Sequence, residues 1–210
     1  MRKAAVLVDF GLGNLDGLAR ALERAGVSVM AAASPERIET ADWLILPGVG
    51  AFPPAMQVLR SRGLDEAITR FSATGKPLLG VCLGLQLMFD ESSEHESTRG
   101  LGLIRGSVQP LESRTPRIGW QTVDVPVRVR HARVQRATEL AGSCVFFNHN
   151  FQVVPDDAEV IELETVDEQR TPALVRSQNL IGVQFHPEKS QIAGARFLQR
   201  LFSGQSGLDE

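Results

Sequence analysis

The chain has 210 residues, of which 43% are hydrophobic and 22% charged, with a formal net charge of −3. Those figures fit a globular protein with one large core, or two small domains, and give no pull toward nucleic acid or an anionic membrane. No apolar run nears the ~18 residues that a membrane span requires, and the basic start at Met1-Arg2-Lys3 meets Asp9 before any cleavage site, so a cytoplasmic protein is expected. The two cysteines, Cys82 and Cys144, are far apart without CxxC spacing, which argues against a structural disulfide and against a metal site.

Residues 4–9 form an apolar run that ends in an acid, as a central parallel strand would. Phe10-Gly11-Leu12-Gly13-Asn14 follows as a glycine-rich turn, and Leu15, Leu18, Ala19 and Leu22 recur at helical spacing up to a stop at Gly26. The third glycine of a dinucleotide fingerprint would stand at position 16. Asp16 stands there instead, so a tight strand-to-helix turn is the preferred reading. Further strands are predicted at 27–31, 43–46 and 77–81, with helices at 54–60 and 63–73. Alternation at this spacing predicts βαβ units in an open, mostly parallel sheet with helices on both faces. Ligands in such sheets sit at the carboxyl ends of the strands, here the loops 10–14, 47–52 and 80–86.

Residues 90–99 are polar and charged and read as an exposed loop, with His95 solvated. Beyond them the pattern changes to short β-rich segments near 103–109, 121–130, 143–147, 159–164, 172–176 and 179–185, which predict hairpins and an added antiparallel sheet. Eight arginines lie between 99 and 136, at positions 99, 105, 114, 117, 128, 130, 133 and 136. A solvated face explains them first and a docking surface for an acidic partner second. An amphipathic helix over 191–202 closes a single domain spanning 1–203, and 204–210 is a polar tail.

Three stretches carry chemistry. Gly80-Val81-Cys82-Leu83-Gly84 joins an apolar strand to a helical pattern, the layout of a nucleophile elbow with cysteine in place of serine. A sharp turn of that kind strains the nucleophile and leaves room only for glycine two residues to either side, and a helix N-terminus behind the sulfur favours the thiolate. A buried structural cysteine between two loop glycines would look the same. Gln184-Phe185-His186-Pro187-Glu188 supplies a base and an acid two residues apart, with Pro187 holding His186 extended so that both side chains project to one side. A cysteine nucleophile needs such a base, and the imidazole needs an acid to fix its tautomer. In Pro47-Gly48-Val49-Gly50, glycines flanking one residue allow peptide N–H groups to turn toward a developing oxyanion.

Gly-Val-Cys-Leu-Gly-x-Gln at 80–86, with Gln-Phe-His-Pro-Glu at 184–188, resembles the class I (triad) glutamine amidotransferases. Asp9 to Leu15, Leu46 to Phe52, Gly100 to Leu103, Gly119-Trp120 and His186 to Ser190 narrow the resemblance to the glutaminase subunits of imidazole glycerol phosphate synthases, over residues 4–202. It implies a flavodoxin-like α/β fold and a triad of Cys82, His186 and Glu188 that hydrolyses glutamine through a γ-glutamyl thioester without a cofactor. It implies an oxyanion loop at Gly48, Val49 and Gly50, in which Val49 acts as a switch. It places Gly50, Gln86, Asn150 and Phe151 at the substrate, and Trp120 and Lys189 near a (β/α)₈-barrel cyclase subunit that receives the ammonia for histidine biosynthesis.

The chain departs from that pattern at several points. Phe10 and Phe151 stand where tyrosine is usual, Asn150 replaces serine or threonine, Gln121 replaces asparagine, and Leu12 replaces a small polar residue. A glutaminase subunit of a different synthase, a stand-alone γ-glutamyl cysteine hydrolase and a non-catalytic module on the same fold are the competing readings.

Overall fold

The computed structural model describes residues 3–11, 15–113, 115–126 and 139–203. Strand β1 (Ala4–Val8) leads to helix α1 (Leu15–Arg24), then β2 (Ser28–Ala32), α2 (Pro35–Glu39) and β3 (Trp43–Leu46). Helices α3 (Phe52–Ser61) and α4 (Leu64–Ala73) precede β4 (Leu78–Val81), and α5 (Leu83–Leu87) follows it. Short strands β5 (Phe89–Ser92), β6 (Thr98–Arg99) and β7 (Ile104–Pro110) come next, then β8 (Arg117–Asp124), β9 (Ser143–His149), β10 (Phe151–Pro155) and β11 (Ile161–Thr165). A final hairpin of β12 (Pro172–Ser177) and β13 (Leu180–Val183) leads into α6 (Gln191–Phe202).

The main sheet runs β2-β1-β3-β4-β13-β12-β11-β8-β9. Its first five strands are parallel and keep the flavodoxin-like order, with β13 in the fifth place although it arrives near the end of the chain. The last four extend the sheet antiparallel. A second sheet, β10-β7-β5-β6, stands apart.

The apolar runs explain why the parallel strands are central. All four residues of β3, of β4 and of β13 are buried, as expected for strands covered on both faces. Successive residues face opposite ways. Val6, Val8, Leu44 and Leu46 pack with Met56, Leu59, Ile68 and Phe71 of α3 and α4. Ala5, Leu7, Trp43 and Ile45 pack with Leu18, Leu22, Leu198 and Phe202 of α1 and α6. Phe10, where tyrosine would be usual, is buried in the first of these cores.

Three expectations change. Residues 90–99 are not one loop, because β5 and β6 pair through Glu91 with Arg99 and Ser92 with Thr98, leaving only 93–97 between them. Most of the β-rich second half extends the main sheet rather than forming a separate one, since β13 pairs parallel with β4 and carries its hairpin partners along. Arg117 is buried rather than part of a solvated face. It pairs with Asp167 and donates to Gln169 at 3.2 Å. Arg99 and Arg105 are exposed, while Arg114, Arg128, Arg130, Arg133 and Arg136, with the tail 204–210 and the turn residues 12–14, lie outside the described residues. No described helix is long and apolar enough to cross a membrane.

Truncating a central strand opens a cavity between two close-packed layers, whereas the edge strand β2 tolerates loss of its half-exposed Met30. Ile45→Ala is expected to lower unfolding free energy by about 2–5 kcal/mol and Met30→Ala by less than about 0.5 kcal/mol, measured by urea denaturation at constant slope.

Candidate active site

The ends of β3, β4 and β13 are neighbours in the sheet, and each delivers one part of the site. Cys82 follows β4 directly, with φ 50 and ψ −105. A side chain at positive φ costs of order 1–3 kcal/mol and persists only where its surroundings hold it. Here the Cys82 N–H donates to the Val183 carbonyl at 2.7 Å, and the Cys82 carbonyl accepts from the Gln86 N–H at 3.2 Å. The backbone leaving β3 presses against this turn. A Cβ on Gly48 would lie 1.8 Å from the Val81 oxygen and 2.8 Å from the Cys82 Cβ, and one on Gly84 would lie 2.1 Å from the Leu46 oxygen. The helix behind the sulfur, α5, has only five residues, so its dipole is a smaller aid to a thiolate than the sequence suggests.

His186 lies just past β13, extended at φ −96 and ψ 100, and Pro187–Lys189 form one turn of 3₁₀ helix. That turn brings Glu188 back, so that His186 Nδ1 lies 2.8 Å from Glu188 Oε1. Ser190 locks the turn: its Oγ donates to the His186 carbonyl at 2.7 Å and accepts from the Phe146 N–H at 3.0 Å. Burial disfavours a charged ring, but the Cys82 sulfur and the Glu188 carboxylate outweigh it and raise the His186 pKa to about 9. At neutral pH the ring therefore carries both protons. Nε2 is buried and, among the described residues, has no partner at full hydrogen-bond geometry, so the Cys82 sulfur that favours the charged ring leaves its proton within reach of an incoming group.

Val49 is half-buried and Gly50 is exposed at φ 126. The segment is pinned on both sides. Gly48 is held against the turn at Cys82, and the Phe52 N–H donates to Glu94 Oε2 at 2.7 Å. Val49 and Gly50 lie between these two anchors. Sequence reasoning missed Glu94, which lies between β5 and β6 in a stretch read as solvated loop. Nothing local in a charged loop signals a contact across 42 residues.

Gln86 is buried, and its Nε2 donates to the Phe151 carbonyl at 3.0 Å and to Gln184 Oε1 at 3.2 Å. Gln184 in turn donates through Nε2 to the Cys82 sulfur at 3.5 Å. The Phe151 carbonyl also accepts from His149 Nδ1 at 2.8 Å, and burial drives the His149 pKa down to about 4, so this second ring is neutral. Phe151 is thus joined to the site through its backbone, which its missing hydroxyl does not affect. The Asn150 side chain is exposed, and its carbonyl accepts from the Leu111 N–H at 3.0 Å. Trp120 is 44% exposed beside Ile118 at 67%. The Trp120 ring meets the Phe146 ring edge-on at 5.8 Å, and Lys189 Nζ lies 5.6 Å from the centroid of the Phe146 ring. The His186 N–H donates to the Phe146 carbonyl, so this surface patch adjoins the site. His95 is exposed, and His131 lies outside the described residues.

Comparison with known proteins bears on this geometry. A family model described as glutamine amidotransferase class-I matches residues 6–203. The chain is 38% identical over 201 residues to the imidazole glycerol phosphate synthase subunit HisH of Lactococcus lactis, covering 94% of this chain and 96% of that protein. It is 40% identical over 198 residues to the HisH subunit of Rhodopirellula baltica, covering 92% and 94%. Among solved structures it resembles PurLQS from Thermotoga maritima, with a TM-score of 0.72 and 19% identity over 96% of this chain and 99% of that one, a likeness of fold alone. With the family match running through nearly the whole described chain, this protein belongs to the class-I glutamine amidotransferases.

Proposed function

We propose that this chain is the glutaminase subunit of an imidazole glycerol phosphate synthase, with 1–203 as its one domain, 204–210 as a tail and the cytoplasm as its compartment. The observation that carries the reading is the strained Cys82 just past the end of β4, with the Gly48 backbone against it and the His186–Glu188 pair beside it.

In this mechanism the Cys82 thiolate attacks the side-chain amide carbon of glutamine, and the carbonyl π electrons move onto oxygen. Peptide N–H groups of the Gly48-Val49-Gly50 loop stabilise that oxyanion. As the intermediate collapses, His186 Nε2 gives its proton to the departing nitrogen, and the C–N bond breaks to release ammonia and leave a thioester on Cys82. The neutral imidazole then takes a proton from water, whose oxygen attacks the thioester. Glutamate leaves and the thiolate returns with a protonated His186. Glu188 holds Nδ1 throughout, which fixes the reactive proton at Nε2. Gln86, Gly50, Asn150 and Phe151 form the glutamine subsite.

Ammonia would be lost to protonation in bulk water, so its consumer must sit over the site. We assign that place to a (β/α)₈-barrel cyclase subunit, docked on the patch around Trp120 and Lys189 and taking up ammonia through a channel. The position of Val49 and Gly50, between the anchors at Gly48 and Phe52, suits an oxyanion loop that docking turns into its productive state.

The first test is glutamate release by the purified chain, alone and with the liganded histidine-pathway cyclase. Strong activation by the cyclase is expected, and high activity without it would point to a free-standing hydrolase. Cys82→Ala should abolish glutamine-dependent synthesis, a loss of at least about 10³-fold, and leave ammonia-dependent turnover of the complex intact.

Because His186 must be protonated as the acid, kcat/KM should fall as pH rises through about 9. Glu188 helps to raise that value, so in Glu188→Gln the alkaline fall should begin at lower pH, read from a pH–rate profile. Trp120→Ala should weaken the complex with the cyclase by about 2 kcal/mol, roughly 30-fold in Kd, measured by calorimetry.

A further inference from the structure

The side chains behind Cys82 form a chain of hydrogen bonds whose direction is fixed at its far end. The Phe151 carbonyl can only accept, so the Gln86 atom 3.0 Å from it must be the amide nitrogen. The same nitrogen lies 3.2 Å from Gln184, which must therefore present its oxygen there. With the oxygen committed, the Gln184 NH₂ is turned toward the Cys82 sulfur, 3.5 Å away. Gln184 is fully buried and Gln86 nearly so, and neither can exchange these contacts for water. His149 completes the anchor. Its Nδ1–H shares the Phe151 carbonyl, and Phe147 packs against its ring at 5.5 Å.

Among the described residues the sulfur is also approached by the His186 ring, whose charge favours the thiolate, and by the Asn148 carbonyl at 3.9 Å, which can only accept and so favours the thiol. The Gln184 N–H opposes it, because a donor aimed at sulfur favours the thiolate. Both geometries bear on one atom, and the shorter contact belongs to the donor.

We infer that Gln184 is a positioning residue for the nucleophile: its side-chain NH₂, oriented through Gln86 by the Phe151 carbonyl, holds the Cys82 sulfur in place and favours its anionic form. The inference rests on Cys82 being the nucleophile. It adds that the glutamine two residues before His186 acts on the sulfur rather than as filler beneath the sheet end, and that the substrate-side segment at Phe151 is wired to the sulfur through two buried amides.

The test uses the full chain with Cys144→Ser, because Cys144 is exposed and would also react. Alkylation of Cys82 by iodoacetamide is followed by mass spectrometry from pH 5 to 10, beside thermal unfolding. Gln184→Met keeps the side-chain length and removes the donor. Its alkylation rate at pH 7 should fall about tenfold and its whole pH–rate profile move to higher pH, the effect of one lost hydrogen bond to an ion, with kcat for glutamine hydrolysis falling and KM within about twofold. Gln86→Met leaves Gln184 in place but frees its amide to turn, and should move the alkylation profile the same way by a smaller amount. A folded Gln184→Met protein whose profile superimposes on the parent overturns the inference. If Gln184→Met does not fold, the Gln86→Met profile decides, and an unmoved one overturns it. A parent protein that still hydrolyses glutamine after complete alkylation of Cys82 overturns the nucleophile assignment itself.

Discussion

Everything in this site depends on a backbone-to-backbone contact between the segment leaving β3 and the turn that follows β4. Gly48 lies on the Val81 carbonyl and Gly84 lies on the Leu46 carbonyl, and neither position has room for a Cβ. Two adjacent parallel strands bring their ends within reach of each other, but side chains normally keep the exits apart. Removing two of them lets the loop at 48–50 come within contact distance of Cys82, where donors could meet an oxyanion formed on a substrate bound to the sulfur. The positive φ of Cys82 is held in the same place, by the Val183 carbonyl on one side and the first turn of α5 on the other.

The third strand of the group explains the electrostatics. Because β13 pairs parallel with β4 in register, Val81 opposite Val183, the residues past its end emerge beside Cys82. Gln184 and His186 are two residues apart, and both reach the sulfur's surroundings. Two histidines in this region are driven in opposite directions. His186 is raised to about 9 by the sulfur and Glu188 against its burial, while His149 falls to about 4 because burial dominates and Arg117 and His186 repel a charge there. One ring is thereby an acid at neutral pH, and the other is a neutral donor that holds the Phe151 carbonyl.

Much of this was legible in the chain. The runs that build β1, β3 and β4 are uninterrupted apolar stretches, and the α6 boundaries at Gln191 and Phe202 follow from a clean helical period. Cys82, His186 and Glu188 stand out because local rules tie glycine, proline and acid to their spacing, and the structure sets His186 2.8 Å from Glu188, just past the strand that pairs with the one before Cys82. Contacts that no local rule carries were missed. Glu94 looked solvated because its acceptor role depends on Phe52, far back in the chain. Ser190 closes a motif without a role of its own in the sequence, yet its hydroxyl holds the turn at His186 to Phe146. Arg117 read as one surface arginine among eight until the segment around Asp167 folded over it.

The sequence by itself determined the parallel α/β class, the candidate triad and the glycines that let backbones close up, since these follow from periodicity and from the chemistry of single residue types. The tertiary structure decided which strand lies next to which. It set β13 beside β4, gave Gln184 its direction through Gln86 and Phe151, and moved most of the later hairpins onto the main sheet. Pairing between distant strands is chosen by packing and hydrogen bonding across the whole sheet, and such contacts leave no trace in the spacing of neighbouring residues.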